Sequence, residues 1–343
     1  MEQDAVLDVA IIGLGWWGRI IADHIRSSRN LRLVRTSDID EQARGFASER
    51  GIHFSTSFDD VLADDRVQGV VLCTPHSQHT EQIVAVARAG KHVFCEKPLS
   101  LTGDDVARAV AAVESAGVTL AVGHEKRFEP PIMELMRLCK SGALGVPLQV
   151  EANFSQDKFL SLPADNWRLS TKEAPAGPMT ATGIHLLDLA VAIFGEAESV
   201  HASVKQLDSP LVNGDTLAVL ASFKSGGHAL ISAILATPYV GRFAVYGSRG
   251  WAEVRDKSHP ECPQGWILTT CMRAQAPQVI DMPAAPAVRY NLEAFADAAL
   301  GRAAYPVSRK QMVANVCALE AAFRSAASGR IELVCAADSL ARH

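Results

Sequence analysis

Along residues 1–125, short apolar runs alternate with stretches of helical period. Leu7–Ile12 is an apolar run that stops at glycines, and Trp16–Ser28 sets Ile20, Ile21 and Ile25 on one helical face. Leu31–Thr36 reads as a second strand. Gly69–Cys73 (GVVLC) is an unbroken, β-branched run, the pattern of a strand covered on both faces. Thr80–Ala89 has helical spacing and His92–Cys95 is another short strand. Asp104–Ala116 carries Val106, Val110 and Val113 at helical intervals, and Val118–Val122 closes the series. This alternation implies a parallel sheet with right-handed crossovers.

After about Gly123 the pattern changes. A helix over Pro130–Ser141 ends at Gly142. Strand-like segments then follow in series: Val146–Phe154, Val200–Val204, Thr216–Phe223, His228–Leu235, Phe243–Tyr246 and Trp266–Met272. Turn signals at Ser225–Gly227 and Gly247–Gly250 separate some of them, which predicts a largely antiparallel sheet. Gly183–Phe194, Asn291–Leu300 and Arg309–Ala327 read as helices, and Ala274–Ala287, rich in Pro and Ala, as an extended surface loop. The expected fold class is α/β. An N-terminal doubly wound parallel sheet (residues 1–125) precedes an α/β domain with a large open, mainly antiparallel sheet (residues 126–343).

Composition narrows the function classes. A chain of 343 residues fits two domains, each able to bury a core. The net charge of −5 provides no basic field for nucleic acid or an anionic membrane. The seven cysteines are scattered with no C-x-x-C pair, so a reducing compartment is expected and a metal site is not. The acidic N-terminus runs straight into a strand, and no apolar run has the length of a membrane span. The expected location is the cytoplasm.

Three motifs carry chemistry. Gly13-Leu14-Gly15-Trp16-Trp17-Gly18 follows a strand, opens a helix and has an acidic residue, Asp38, after the next strand. That context turns a weak glycine pattern into a dinucleotide-binding expectation. Glycines permit close approach of a pyrophosphate to a helix N-terminus, and Asp38 is placed to accept from ribose hydroxyls. Trp16 and Trp17 are expected to pack around that cleft. A carboxylate at Asp38 repels a 2′-phosphate, which favours NAD over NADP, although Arg35 and Ser37 are close enough in sequence to soften the preference. Asp40 is the alternative ribose ligand, or a helix cap. Thr74-Pro75, with His79 beyond it, follows the GVVLC strand, where ligands bind in such folds; an ordinary strand-to-helix turn is the other reading. Glu96-Lys97-Pro98 follows the His92–Cys95 strand. A lysine at a strand's C-terminal edge can serve as proton donor or acceptor, and Pro98 is a candidate cis-proline; a surface ion pair is the alternative.

Taken together, GLGWWG, SDID, TPHSQH, GKHVFCEKPL, VGHEKRF, SGALGVP, NWR, GIHLLD, YGSRG and RSAASGR resemble one family. It is the Gfo/Idh/MocA group of glucose-fructose oxidoreductase and inositol dehydrogenase. The resemblance implies hydride transfer between nicotinamide and a carbinol or carbonyl carbon of a sugar, cyclitol or related cyclic alcohol. It implies Lys97 as the catalytic lysine and Glu96 near the nicotinamide ribose, with Thr74, Pro75 and His79 in the cofactor set. It implies His185 near the reacting carbon, and Arg127, Trp167 and Arg168 along the substrate pocket. A homodimer or homotetramer through the outer face of the C-terminal sheet is implied as well.

One departure stands out. The family usually has an aspartate four residues before the histidine, and here that position is Ala181. Positioned acid–base groups contribute about 10²–10⁴-fold, so altered chemistry, a substrate that supplies its own group, or a weak enzyme is expected. Two other functions stay open beside the dehydrogenase. One is a hydrolase or lyase that works by transient oxidation on bound NAD. The other is a non-catalytic NAD(P)-binding regulator.

Overall fold

A computed structural model describes residues 5–335. The first eleven elements are β1 (Leu7–Ile12), α1 (Trp16–Arg26), β2 (Leu31–Ser37), α2 (Arg44–Ser48), β3 (His53–Ser55), α3 (Phe58–Leu62), β4 (Gly69–Leu72), α4 (His79–Arg88), β5 (His92–Cys95), α5 (Gly103–Ala116) and β6 (Leu120–Val122). They build a six-stranded sheet in the order β3-β2-β1-β4-β5-β6, parallel throughout. The chain order reverses between β1 and β4, the position where doubly wound sheets open a crevice at their strand C-termini. Every residue of β4 is buried, as its apolar run requires. Helix α5 shows how local chemistry sets element ends. Thr102 caps its start by accepting from Asp105 N at 3.2 Å, and Gly117, at φ 67°, ends it in the left-handed region.

The second series comprises α6 (Pro130–Lys140), β7 (Pro147–Ser155), α7 (Ile184–Phe194), β8 (Ala197–Lys205), β9 (Thr216–Phe223), β10 (His228–Ile234), β11 (Val240–Gly247), β12 (Gly250–Asp256), β13 (Trp266–Met272) and β14 (Gln278–Met282). Then come α8 (Ala287–Ala299), α9 (Arg309–Ser328) and β15 (Glu332–Leu333). The nine-stranded sheet runs β14-β13-β12-β11-β7-β10-β9-β8-β15. Among the described residues of this sheet, only the β7–β10 pair is parallel. Its buried face packs on α7, where Leu186, Leu187, Leu189 and Ala190 are almost fully enclosed.

Among the described residues, contacts group 5–125 with 287–312, and 126–286 with 313–335. A single division at 125/126 therefore does not describe α8, which returns to the first unit. Phe295 stacks edge-on against Phe94 at 5.8 Å, and Asn291 Nδ2 donates to Val122 O at 2.9 Å.

Three local expectations need correction. The stretch 274–287 is not all loop: β14 pairs with β13, and α8 begins at Ala287. As an edge strand exposed at nearly every position, β14 has no apolar alternation to betray it. The helix expected from Gly183 is preceded by a π-helical turn over Met179–Gly183. Small elements α2, β3 and α3, and strand β12, were not anticipated. Among the described residues, no helix is long and apolar enough to cross a membrane.

Candidate functional site

In the first unit, the expected site residues follow the C-terminal ends of four neighbouring strands. β1 leads into Gly13, β2 into Asp38, β4 into Thr74 and β5 into Glu96. Backbone bonds knit these ends together: Gly13 N donates to Ser37 O at 2.8 Å, Cys73 N to Ile12 O at 2.8 Å, and Glu96 N to Leu72 O at 2.9 Å.

The three glycines of the first loop serve different ends. Gly13 has φ +91°, and a Cβ there would meet Cys73 O at 2.6 Å; at Gly18 it would meet Gly13 O at 1.9 Å. Those two are required by the turn and by helix–strand packing. Gly15 is exposed, and a Cβ on it would meet nothing within 4 Å. Its lack of a side chain is not demanded by any protein neighbour. Gly15 also caps α1, which has no side-chain cap bond and no acidic residue in its first turn. The positive end of the helix therefore opens beside a bare glycine, and this suits a diphosphate.

Asp38 reaches back to this loop. One carboxylate oxygen accepts from Leu14 N at 2.5 Å and the other from Asp40 N at 2.9 Å. Asp40 caps a short turn by accepting from Gln42 N at 2.9 Å, so it acts as a cap. Arg35 is held by Asp64 at 2.9 Å, with its side chain only 11% exposed. Ser37 is buried. Neither stands ready for a 2′-phosphate. Trp16 is half exposed and lies 5.4 Å, centroid to centroid, from the less exposed Trp17.

Thr74 donates its hydroxyl to Gln82 at 2.5 Å. Beside it, Pro75 is half-buried, while His79 has no exposed surface; the two ring nitrogens of His79 face Pro98 O at 2.7 Å and Thr74 O at 3.0 Å. The Lys97–Pro98 peptide is cis, as anticipated. Glu96 is no surface ion-pair partner: it is buried, and its carboxylate accepts from Lys97 N at 3.2 Å. Burial, and then the nearby Glu125 carboxylate, push its acid up to about 7; the Trp17 indole N–H and the Lys97 charge act in the opposite direction. Lys97 itself is half-buried.

In the second unit, His185 occupies the first turn of α7 and is 4% exposed. Its ring lies 6.0 Å from Phe154. Asp188, one turn on, takes Arg127 in a bidentate pair at 2.6 and 2.7 Å, both side chains nearly buried. Two of the three guanidinium nitrogens of Arg127 are thus spent on α7. Trp167 and Arg168 form a short turn capped by Asn166, and the Arg168 guanidinium lies 4.2 Å over the Trp167 ring. Ala181 sits in the π-helical turn; its neighbours Thr180 and Thr182 are buried and spend their hydroxyls on Pro175 O and Pro178 O.

Phe154 also gathers residues that the sequence did not bring forward. Tyr239 and His259 pack on it at 6.0 and 6.3 Å, and Lys126 Nζ lies 5.0 Å over its ring. Lys126 is buried and held by Asp256 at 2.9 Å and Glu129 at 3.2 Å. Burial opposes the charge of Lys126, and the two carboxylates reverse that effect, so its acid is raised well above the ordinary value. Tyr239 donates to the same Asp256. His259 Nε2 faces Gln156 Oε1 while Nδ1 accepts from Glu261 N at 3.2 Å, which fixes one neutral tautomer. Burial, with help from Lys158 and Lys126, lowers this histidine to about 4. Lys126 and Asp256 are 130 positions apart, so no local pattern could pair them.

Known proteins resemble this chain over most of its length. Residues 7–124 match the family model described as "Oxidoreductase family, NAD-binding Rossmann fold", and residues 132–253 match "GFO/IDH/MocA C-terminal domain". Myo-inositol 2-dehydrogenase of Thermotoga maritima is 31% identical over 251 residues, covering 71% of this chain and 73% of that protein. GenD2 from gentamicin A biosynthesis, solved in complex with NAD, has a TM-score of 0.83 at 25% identity, covering 98% of each chain. Aldose-aldose oxidoreductase from Caulobacter crescentus, complexed with glycerol, has a TM-score of 0.84 at 25% identity, covering 96% of this chain and all of that one.

Proposed function

Because the chain belongs to the GFO/IDH/MocA family of NAD-binding oxidoreductases, we propose that it is a dehydrogenase for a sugar, cyclitol or related cyclic alcohol that uses NAD in preference to NADP. The observation that carries this reading is the row of strand ends bearing Gly13–Gly18, Asp38, Thr74 and Glu96-Lys97 along one edge of a parallel sheet. Bound NAD would supply the hydride acceptor. Gly15 and the α1 N-terminus would take its diphosphate, and Asp38 its adenine ribose. Glu96 would lie by the nicotinamide ribose.

The chain's own task is then to orient the substrate and move one proton. Lys97 Nζ would exchange the hydroxyl proton, since an amine on a half-buried strand end can take or return it. By the family resemblance, His185 would act near the reacting carbon. Trp167 and Arg168 would supply the wall and the cation for hydroxyls or a carboxylate. Arg127 supports this pocket through Asp188 more than through direct contact, given how much of its guanidinium is already bonded. Ala181 stands where the family usually has an aspartate, which keeps a non-catalytic NAD(P)-binding regulator as one alternative, and a hydrolase or lyase using transient oxidation on bound NAD is the other. The dehydrogenase and transient-oxidation readings part on net cofactor reduction. A panel of cyclitols, sugars and sugar acids, with NADH absorbance followed, gives net reduction for a dehydrogenase and product without reduction for transient oxidation.

The outer sheet face fits self-association. Leu220 and Leu230 are register partners on β9 and β10, each 42% exposed, and Val240 on β11 is 47% exposed. A second copy covering them would give the homodimer or the first contact of a homotetramer.

A further inference from the structure

His79 lies below the loop that carries Lys97. It has no exposed surface, and it sits at the first position of α4. One ring nitrogen faces Pro98 O at 2.7 Å, directly after Lys97 in the chain, and the other faces Thr74 O at 3.0 Å. Both partners are carbonyl oxygens, which only accept. A neutral ring donates to one of them at a time; an imidazolium donates to both. The adjacent residue repeats the grip: the Thr80 hydroxyl bonds Ser100 Oγ at 2.8 Å, and Ser100 has no exposed surface either. The His76 ring, from the preceding turn, packs edge-on against His79 at 5.8 Å.

We propose that His79 is a positioning residue, clamping the Lys97–Pro98 turn to the end of β4 and so setting where the lysine amine stands. This rests on the reading of Lys97 as the proton-exchanging group. A ligand role for His79 would need a ring edge open to the cofactor, and its buried ring already faces two backbone oxygens. The neighbouring Thr80–Ser100 bond shows that the start of α4 holds this loop at two successive points. An error of about 1 Å in a reacting group costs about 10²-fold in rate, so a clamp one residue from Lys97 bears directly on turnover.

Asn and Gln separate the two ends of the clamp. H79N keeps a donor near the Nδ1 position, toward Pro98 O, and H79Q keeps one near Nε2, toward Thr74 O. The full chain is compared as wild type, H79N, H79Q and K97M, using hydrogen exchange over residues 96–101, NADH affinity by fluorescence, and turnover. The expected result is faster exchange in 96–101 for H79Q and a roughly 10²-fold lower kcat, with NADH affinity changed by no more than about two-fold. H79N stays nearer wild type in both exchange and kcat. Wild-type exchange and turnover in H79Q overturn the proposal. So does a loss of NADH affinity with normal kcat at saturating cofactor, which would make His79 a cofactor ligand. K97M guards the underlying reading: if it turns over normally, the lysine assignment fails, while the exchange data still judge the clamp. If H79Q does not fold, T80V removes the neighbouring grip; faster exchange in 96–101 supports the clamp, and unchanged exchange contradicts it.

Discussion

The Glu96 carboxylate packs against the bare α-carbon of Gly123. A Cβ at that glycine would stand 2.5 Å from both carboxylate oxygens. The two residues end neighbouring strands, and Gly123 N is bonded to Cys95 O at 2.9 Å, so neither backbone can withdraw easily. G123A therefore forces the carboxylate out of its place beside Lys97. The expected cost is about 1–3 kcal/mol of stability together with weakened NADH binding. Urea unfolding and fluorescence titration measure the two; a variant equal to wild type in both would show that Glu96 has room the packing denies.

Glu96 also gives a pH signature. Its acid lies near 7 in the folded protein against an ordinary value of 4.5, so the folded chain binds the proton more tightly than the unfolded chain. The stabilisation from that proton is fully present below about 4.5 and is lost as pH rises through about 7. E96Q keeps the shape without the titration. Its stability relative to wild type is expected to increase from pH 5 to pH 8. Parallel unfolding curves for the two proteins across that range would contradict the assignment.

Arg127 and Asp188 form a nearly buried bidentate pair. Removing the arginine leaves the Asp188 charge enclosed, so R127A is expected to lose about 3–5 kcal/mol. R127K restores the charge but not the fork, and recovers only part of this. Chemical denaturation reads both. A loss of substrate affinity with no loss of stability would instead make Arg127 primarily a substrate ligand.

Asp38 holds Leu14 N and stands where a ribose is expected, while Arg35 is occupied by Asp64. D38A is expected to bind NADH about ten-fold more weakly, and NADPH no worse than wild type does. Titrations with the two reduced cofactors test this, and equal losses for both would remove Asp38 from cofactor selection.

The exposed pair Leu220 and Leu230 predicts that L230E lowers the oligomeric state at micromolar concentration without unfolding the chain. Light scattering after size-exclusion chromatography decides it; an unchanged mass would place any assembly elsewhere.

The first sheet was legible because its strands are buried on both faces, and runs such as GVVL have no competing reading. The glycine loop was legible because Gly13 and Gly18 answer steric demands within a few residues of chain. What escaped was long-range or edge structure. β14 is exposed along its length, so its pattern carried no period. The return of α8 to the first unit depends on Phe295 meeting Phe94 across 201 positions of chain, which no local window records. The Lys126–Asp256 pair and the tyrosine and histidine around Phe154 were hidden for the same reason. The strand-end location of His79 suits a cofactor residue or an ordinary turn alike; its two carbonyl partners appear only when β4, β5 and α4 are assembled.

On the proposed reading, Lys97 exchanges the substrate proton in an NAD-dependent oxidation of a sugar or cyclitol hydroxyl. NADH absorbance with purified wild type and K97M, each mixed with NAD and a panel of cyclitols, sugars and sugar acids, tests this step. Wild type is expected to form NADH saturably with one compound class, and K97M to form none although it binds NADH as wild type does. Normal turnover by K97M would contradict that reading.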